Sequence, residues 1–68
     1  MKNESAKLGQ NLKRIRTKKV ISQGDIAREL GVSRGFVSTI ENAKTNPTLS
    51  TIAKLAKALG VSTDELLK

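Results

Sequence analysis

Five of the seven residues from Lys13 to Lys19 are cationic: Lys13, Arg14, Arg16, Lys18 and Lys19. Nothing around them is suited to bond-breaking chemistry. The chain has no Cys and no His, which excludes thiol chemistry, disulfides, zinc fingers and the common soft metal sites. It has no glycine-rich phosphate loop and no paired carboxylates in a plausible cleft. The reading is therefore of a non-enzyme, with no metal, no cofactor and no evident small-molecule ligand. What remains is charge. Thirteen basic and six acidic residues give a formal charge of +7 over 68 residues, a strong bias toward a polyanion. A merely solvated surface would also be basic, but the clustering favours polyanion binding.

These charges have to be positioned by short helices. Apolar residues recur at helical spacing rather than in alternation. Leu8, Leu12 and Ile15 form the stripe of a first helix, capped by Asn3 or Ser5 and basic at its C-terminal end. Val20 and Ile21 end that pattern and lead into Ser22. Ser22 with Asp25 resembles a capping box and opens a second helix carrying Ile26, Ala27 and Leu30, stopped by Gly31. Ser33 caps a third helix with Val37 and Ile40 inward. The polar stretch from Asn42 to Thr48 holds the only proline, Pro47, and reads as a loop. Thr48 caps a fourth helix with Leu49, Ile52, Leu55, Ala56 and Leu59. Gly60 ends it, and a box of Ser62 and Glu65 opens a short fifth helix with Leu66 and Leu67. The words "ELGVS" at 29–33 and "ALGVS" at 58–62 are the same stop-and-restart signal used twice.

The expected fold is all-α, a compact five-helix bundle forming one domain over 1–68. A chain this short buries only about 60% of its unfolded surface, so its margin of stability is thin. The start, Met1-Lys2-Asn3-Glu4, has no signal-type apolar run, and no stretch could cross a bilayer. A cytoplasmic, non-membrane protein is expected, in keeping with the missing disulfides. Two helices joined by a three- to four-residue turn containing Gly make a helix-turn-helix, here at about 23–42. The first braces the second, which is free to enter a DNA major groove.

Gln23, Ala27, Gly31, Val37 and Ile40, then "IEN" at 40–42 and "LAKALGVSTDELL" at 55–67, resemble the helix-turn-helix domain of the lambda and 434 repressors and Cro proteins, shared by Xre-type bacterial regulators. The likeness runs from Leu8 to Leu67. It implies a double-stranded DNA-binding transcription regulator, a repressor type, bound to a palindromic operator as a homodimer. Half-site centres would lie about 34–36 Å apart. Ala27 is then small for close helix crossing, and Gly31 takes positive φ. Base contacts fall to Arg34, Gly35, Phe36, Ser38 and Thr39. Arg34 can bind a guanine edge bidentately, or else a phosphate. Thr39 can offer its hydroxyl, pack its methyl on a thymine, or simply face solvent. Phe36 is either core or partly exposed against DNA. Phosphate contacts fall to Ser22 and Gln23 at the start of the second helix, and to Asn42, Lys44, Thr45 and Asn46 after the third. Arg16 and Glu41 match an interhelical ion pair. Leu66, Leu67 and the loop before the fourth helix are the expected dimer contact. The sequence departs from the family at Gly24, where Glu is usual, and at Gly35, which either lets the backbone come close to DNA or marks a position with no base contact.

Two classes of function compete. One is the regulator just described. The other is an antitoxin-type module whose main partner is a protein, with DNA binding secondary. In such relatives the toxin-binding element often lies outside this domain, and the expected domain takes up almost all of these 68 residues, which favours the regulator. Single-stranded RNA binding lacks its aromatic platform, since Phe36 is the only aromatic residue.

Overall fold

The computed structural model describes residues 4–68 and consists of five helices: α1 (Glu4–Lys18), α2 (Gln23–Leu30), α3 (Arg34–Glu41), α4 (Leu49–Leu59) and α5 (Thr63–Leu67). Each of the last four begins on a hydroxyl cap. Ser22, Ser33, Thr48 and Ser62 are extended, and each accepts a hydrogen bond from the backbone N–H three residues on. This satisfies one of the donors that a helix start leaves free. The box at Ser22 is complete, with the Ser22 N–H donating back to Asp25 Oδ2 at 3.0 Å. The one expected at Ser62 is only half made, because the Glu65 carboxylate pairs with Lys68 instead. Ser5 lies inside the first turn of α1 rather than capping it and donates to Asn46 Oδ1. Asn3 lies outside the described residues.

Gly31 and Gly60 stop α2 and α4 in the left-handed region, both at φ 72°. Each following valine, Val32 or Val61, donates its N–H back across the turn, to Ala27 and Ala56 respectively.

The core is wholly aliphatic among the described residues. Leu8, Leu12 and Ile15 of α1 meet Ile26 and Ala27 of α2, Val37 and Ile40 of α3, Ile52, Leu55, Ala56 and Leu59 of α4, and Leu66 of α5. Leu49 is a correction to the expected α4 stripe. It stands at the first position of α4 and is 78% exposed, because the helix turns that position away from the core. Leu66 is a second correction. It is fully buried within its own chain, so it has no surface to give a partner. The Asn11 side chain ties α5 down by donating to the Leu66 carbonyl at 2.8 Å. Phe36 is half-buried against the core.

One close approach fixes α3 relative to α1. Gly9 is buried where α1 crosses the end of α3, and a Cβ there would lie 2.6 Å from the Glu41 carbonyl oxygen and 2.7 Å from that of Ile40. Only a residue without a side chain fits against that backbone.

Candidate nucleic-acid interface

The site begins with the buried pair that holds α3 in place. Arg16 Nε donates to Glu41 Oε2 at 2.6 Å and its Nη2 to Oε1 at 3.2 Å, the forked geometry expected of arginine on a carboxylate. The third donor, Nη1, caps the Ile21 carbonyl at 3.0 Å, so one side chain ties α1, the α1–α2 turn and α3 together. The Glu41 side chain is 3% exposed and that of Arg16 is 15%. The expected ion pair is therefore present and largely desolvated.

Gln23 joins this group, which the sequence did not reveal. Its Nε2 donates to Glu41 Oε1 at 2.9 Å. One amide hydrogen is thus committed inward, which orients the side chain at the start of α2 and leaves the second for a ligand. The N–H groups of Gln23 and Gly24 find no acceptor among the described residues.

These groups surround an open depression of about 490 Å³ lined by Lys13, Arg16, Ser22, Gln23, Gly24, Arg34, Glu41 and Asn42. Of the expected DNA contacts it gathers Ser22, Gln23, Arg34 and Asn42, beside the Arg16–Glu41 pair. It adds Lys13, which charge alone had placed in an undifferentiated basic run. The available signal was its spacing of three from Arg16, which puts both on one side of α1. Glu41 balances the charge of Arg16, so Lys13 and Arg34, with the exposed α2 N-terminus, make the depression positive and suited to an anion. Gly24 is roomy: an added Cβ would sit 3.6 Å from Ser22 Oγ and 3.9 Å from Arg34 Cδ, which is ordinary contact. The departure from Glu at this position is thus tolerated rather than required.

Asp25 is the third residue of α2 and closes its capping box. The Ser22 backbone N–H, then the Ser22 hydroxyl, hold its carboxyl below the usual aspartate value; desolvation opposes them, and Arg28 adds a lesser lowering. Arg28 pairs with it on the surface.

On α3, Arg34 is exposed at the first position and has no ion-pair partner among the described residues. Thr39 donates its hydroxyl to the Gly35 carbonyl at 2.8 Å, and Ser38 Oγ accepts a long bond from Asn42 Nδ2. After α3, Ala43 adopts φ 58° and turns the chain. Lys44 is exposed beyond that turn, Thr45 is half-buried, and Asn46 is held by Ser5. Leu67, 40% exposed, lies with Leu49, Leu8, Ile52 and Asn46 around a small apolar groove of about 180 Å³.

The arrangement is a short helix projecting an open polar edge, braced by a second helix whose first N–H groups are left free among the described residues. The profile of the helix-turn-helix family matches residues 12–66. The chain belongs to the helix-turn-helix family of Cro/C1-type regulators. It is 38% identical over 60 residues to the uncharacterized HTH-type transcriptional regulator y4dJ of Sinorhizobium fredii, covering 88% of this chain and 78% of that protein. It is 47% identical over 60 residues to the SPbeta prophage-derived regulator YonR of Bacillus subtilis, covering 88% of this chain and 56% of that one. The crystal structure of a hypothetical transcription factor from Neisseria superposes with a TM-score of 0.90 at 39% identity, over 97% of this chain and 76% of that one. The helix-turn-helix chain thus spans between about half and four-fifths of the length of these relatives. Among the described residues, no helix is long and apolar enough to cross a membrane.

Proposed function

We propose that this helix-turn-helix protein is a cytoplasmic, sequence-specific repressor that binds a palindromic operator as a homodimer, with α3 in the major groove. The observation that carries the reading is the placement of Arg34. It is free, exposed and at the first turn of α3, beside the positive depression of Lys13, Gln23 and the α2 N-terminus. A phosphate seated in that depression sets the depth and register of α3, and Arg34 then meets base edges. Lys44 holds a second phosphate beyond the turn at Ala43. Leu49 and Leu67 form the contact between copies, since both are exposed apolar side chains beside one groove.

The test is a binding titration on operators selected from random DNA, at three or more salt concentrations. Arg34→Ala is expected to cost about 1–3 kcal/mol on the preferred operator and much less where the facing guanine has been changed. Lys44→Ala is expected to weaken all DNA about equally and to make the log–log salt slope shallower by about one unit. Binding to an isolated half-site as tight as to the full palindrome refutes the dimer. Uniform weakening by Arg34→Ala, with discrimination intact, moves Arg34 to the phosphate class.

A further inference from the structure

Gly35 and Thr39 stand four residues apart on α3, which makes them neighbours on one face of the helix. Neither fits the usual means of reading a base by hydrogen bonds. Gly35 has no side chain, and only Ser33 Oγ, at 3.8 Å, approaches the place where a Cβ would be. Thr39 has a hydroxyl, but its hydrogen is already given to the Gly35 carbonyl at 2.8 Å. The branch left disengaged from the backbone is the methyl. The position next to it, which most residues would fill, is open space on an exposed part of the helix. Donation by Thr39 to a base would require breaking a good internal bond and leaves its oxygen only an acceptor's role, whereas apolar reading requires nothing to move.

We propose that Gly35 and Thr39 together form one specificity element, a shallow notch with a methyl at its edge, that accepts the 5-methyl group of a thymine. This rests on the proposed entry of α3 into the major groove, where that methyl is the one apolar group a base pair presents. It gives Gly35 a positive role at the tip of a reading helix. It also divides the work on α3: Arg34 selects by charged donors, and the Gly35–Thr39 edge selects by shape and burial.

The notch can be filled from either side, and the experiment uses this. An operator chosen by the unmodified protein is remade with deoxyuridine at each thymine in turn, which removes only the 5-methyl group. The parent is expected to lose about fourfold in affinity at one thymine per half-site, the equivalent of one buried methyl. Thr39→Ser removes the protein's methyl and is expected to lose a similar factor on the thymine operator, with little further loss on the deoxyuridine one. Thr39→Val keeps the methyl and is expected to bind like the parent. Gly35→Ala is the decisive variant, because alanine favours a helix and the site has room for it in the free protein. Its Tm is expected to rise while its affinity for the thymine operator falls, and much of that loss should be recovered on the deoxyuridine operator. Loss of binding by Thr39→Val with retention by Thr39→Ser shows hydroxyl reading and overturns the proposal. So does a deoxyuridine scan with no effect, or an equal loss for Gly35→Ala on both operators. In each of those cases, discrimination that still depends on Arg34 leaves the operator-binding reading standing. A parent protein with no sequence preference refutes both.

Discussion

Replacing Arg16 by alanine tests the physical basis of the site most directly. The Glu41 carboxylate is 3% exposed and receives two of its three side-chain hydrogen bonds from Arg16. The variant leaves it with Gln23 alone, in a place water reaches poorly. Removing one partner of a buried pair costs about 3–5 kcal/mol, because the remaining charge stays desolvated and unpaired. The Ile21 carbonyl loses its Nη1 donor as well. A chain of this size has only about 3–10 kcal/mol of stability in total. At about 4–8 °C per kcal/mol for a domain this small, Tm should fall by at least about 12 °C. Thermal and urea denaturation followed by circular dichroism measure it. A double variant, Arg16→Met with Glu41→Leu, removes both charges and should be more stable than Arg16→Ala. An Arg16→Ala protein that melts within a degree or two of the parent refutes the argument. It would mean that the pair is hydrated well enough for its loss to cost almost nothing.

Three further outcomes are expected. Gly9→Ala forces a methyl against the backbone carbonyls of Ile40 and Glu41, so it should destabilise by about 1–3 kcal/mol in urea titration even though alanine is the better helix former. Val20→Gly should raise Tm, because Val20 sits at φ 59° while 90% exposed. It therefore bears a left-handed penalty of about 1–2 kcal/mol with little packing to lose. The Asp25 carboxyl is held below its ordinary value, so its contribution to stability is present above the unfolded pKa and is lost as pH falls through the lower folded one. Asp25→Asn should therefore flatten the acid limb of a Tm-against-pH curve and leave its shape at neutral pH unchanged.

Local chemistry made most of the fold legible in the sequence. Ser22, Ser33, Thr48 and Ser62 each cap a helix, and Gly31 and Gly60 each end one, because these tasks depend only on neighbours a few residues away. The buried stripes of α1 and α3 follow from helical spacing. The misreadings occur where a position depends on which way an element is turned. Leu49 and Leu66 are both leucines at a helix end, yet one faces solvent and the other the core. Gly9 looks like a costly residue inside a helix until α3 is placed against it. The link from Gln23 to Glu41 spans two helices, and no local pattern encodes it. In the candidate site, the residue types were legible, but the hydrogen bonds that direct Gln23, Thr39 and Asn46 were not.

The twin glycine turns separate shape from electrical character. Gly31 and Gly60 share a φ of 72°, and Val32 and Val61 close the two turns with equivalent bonds. As joints they are interchangeable, yet the helices they lead into differ in electrical sign. After the first, the chain runs into Arg34 and Gly35, a cation and a gap. After the second, it runs into Thr63, Asp64 and Glu65, whose carboxylates suit a helix start and repel a phosphate. The first corner thus carries a charge that attracts a polyanion and the second charges that repel one. The turn itself is neutral hardware, and the polarity of the residues that follow decides which of two similar corners suits a polyanion.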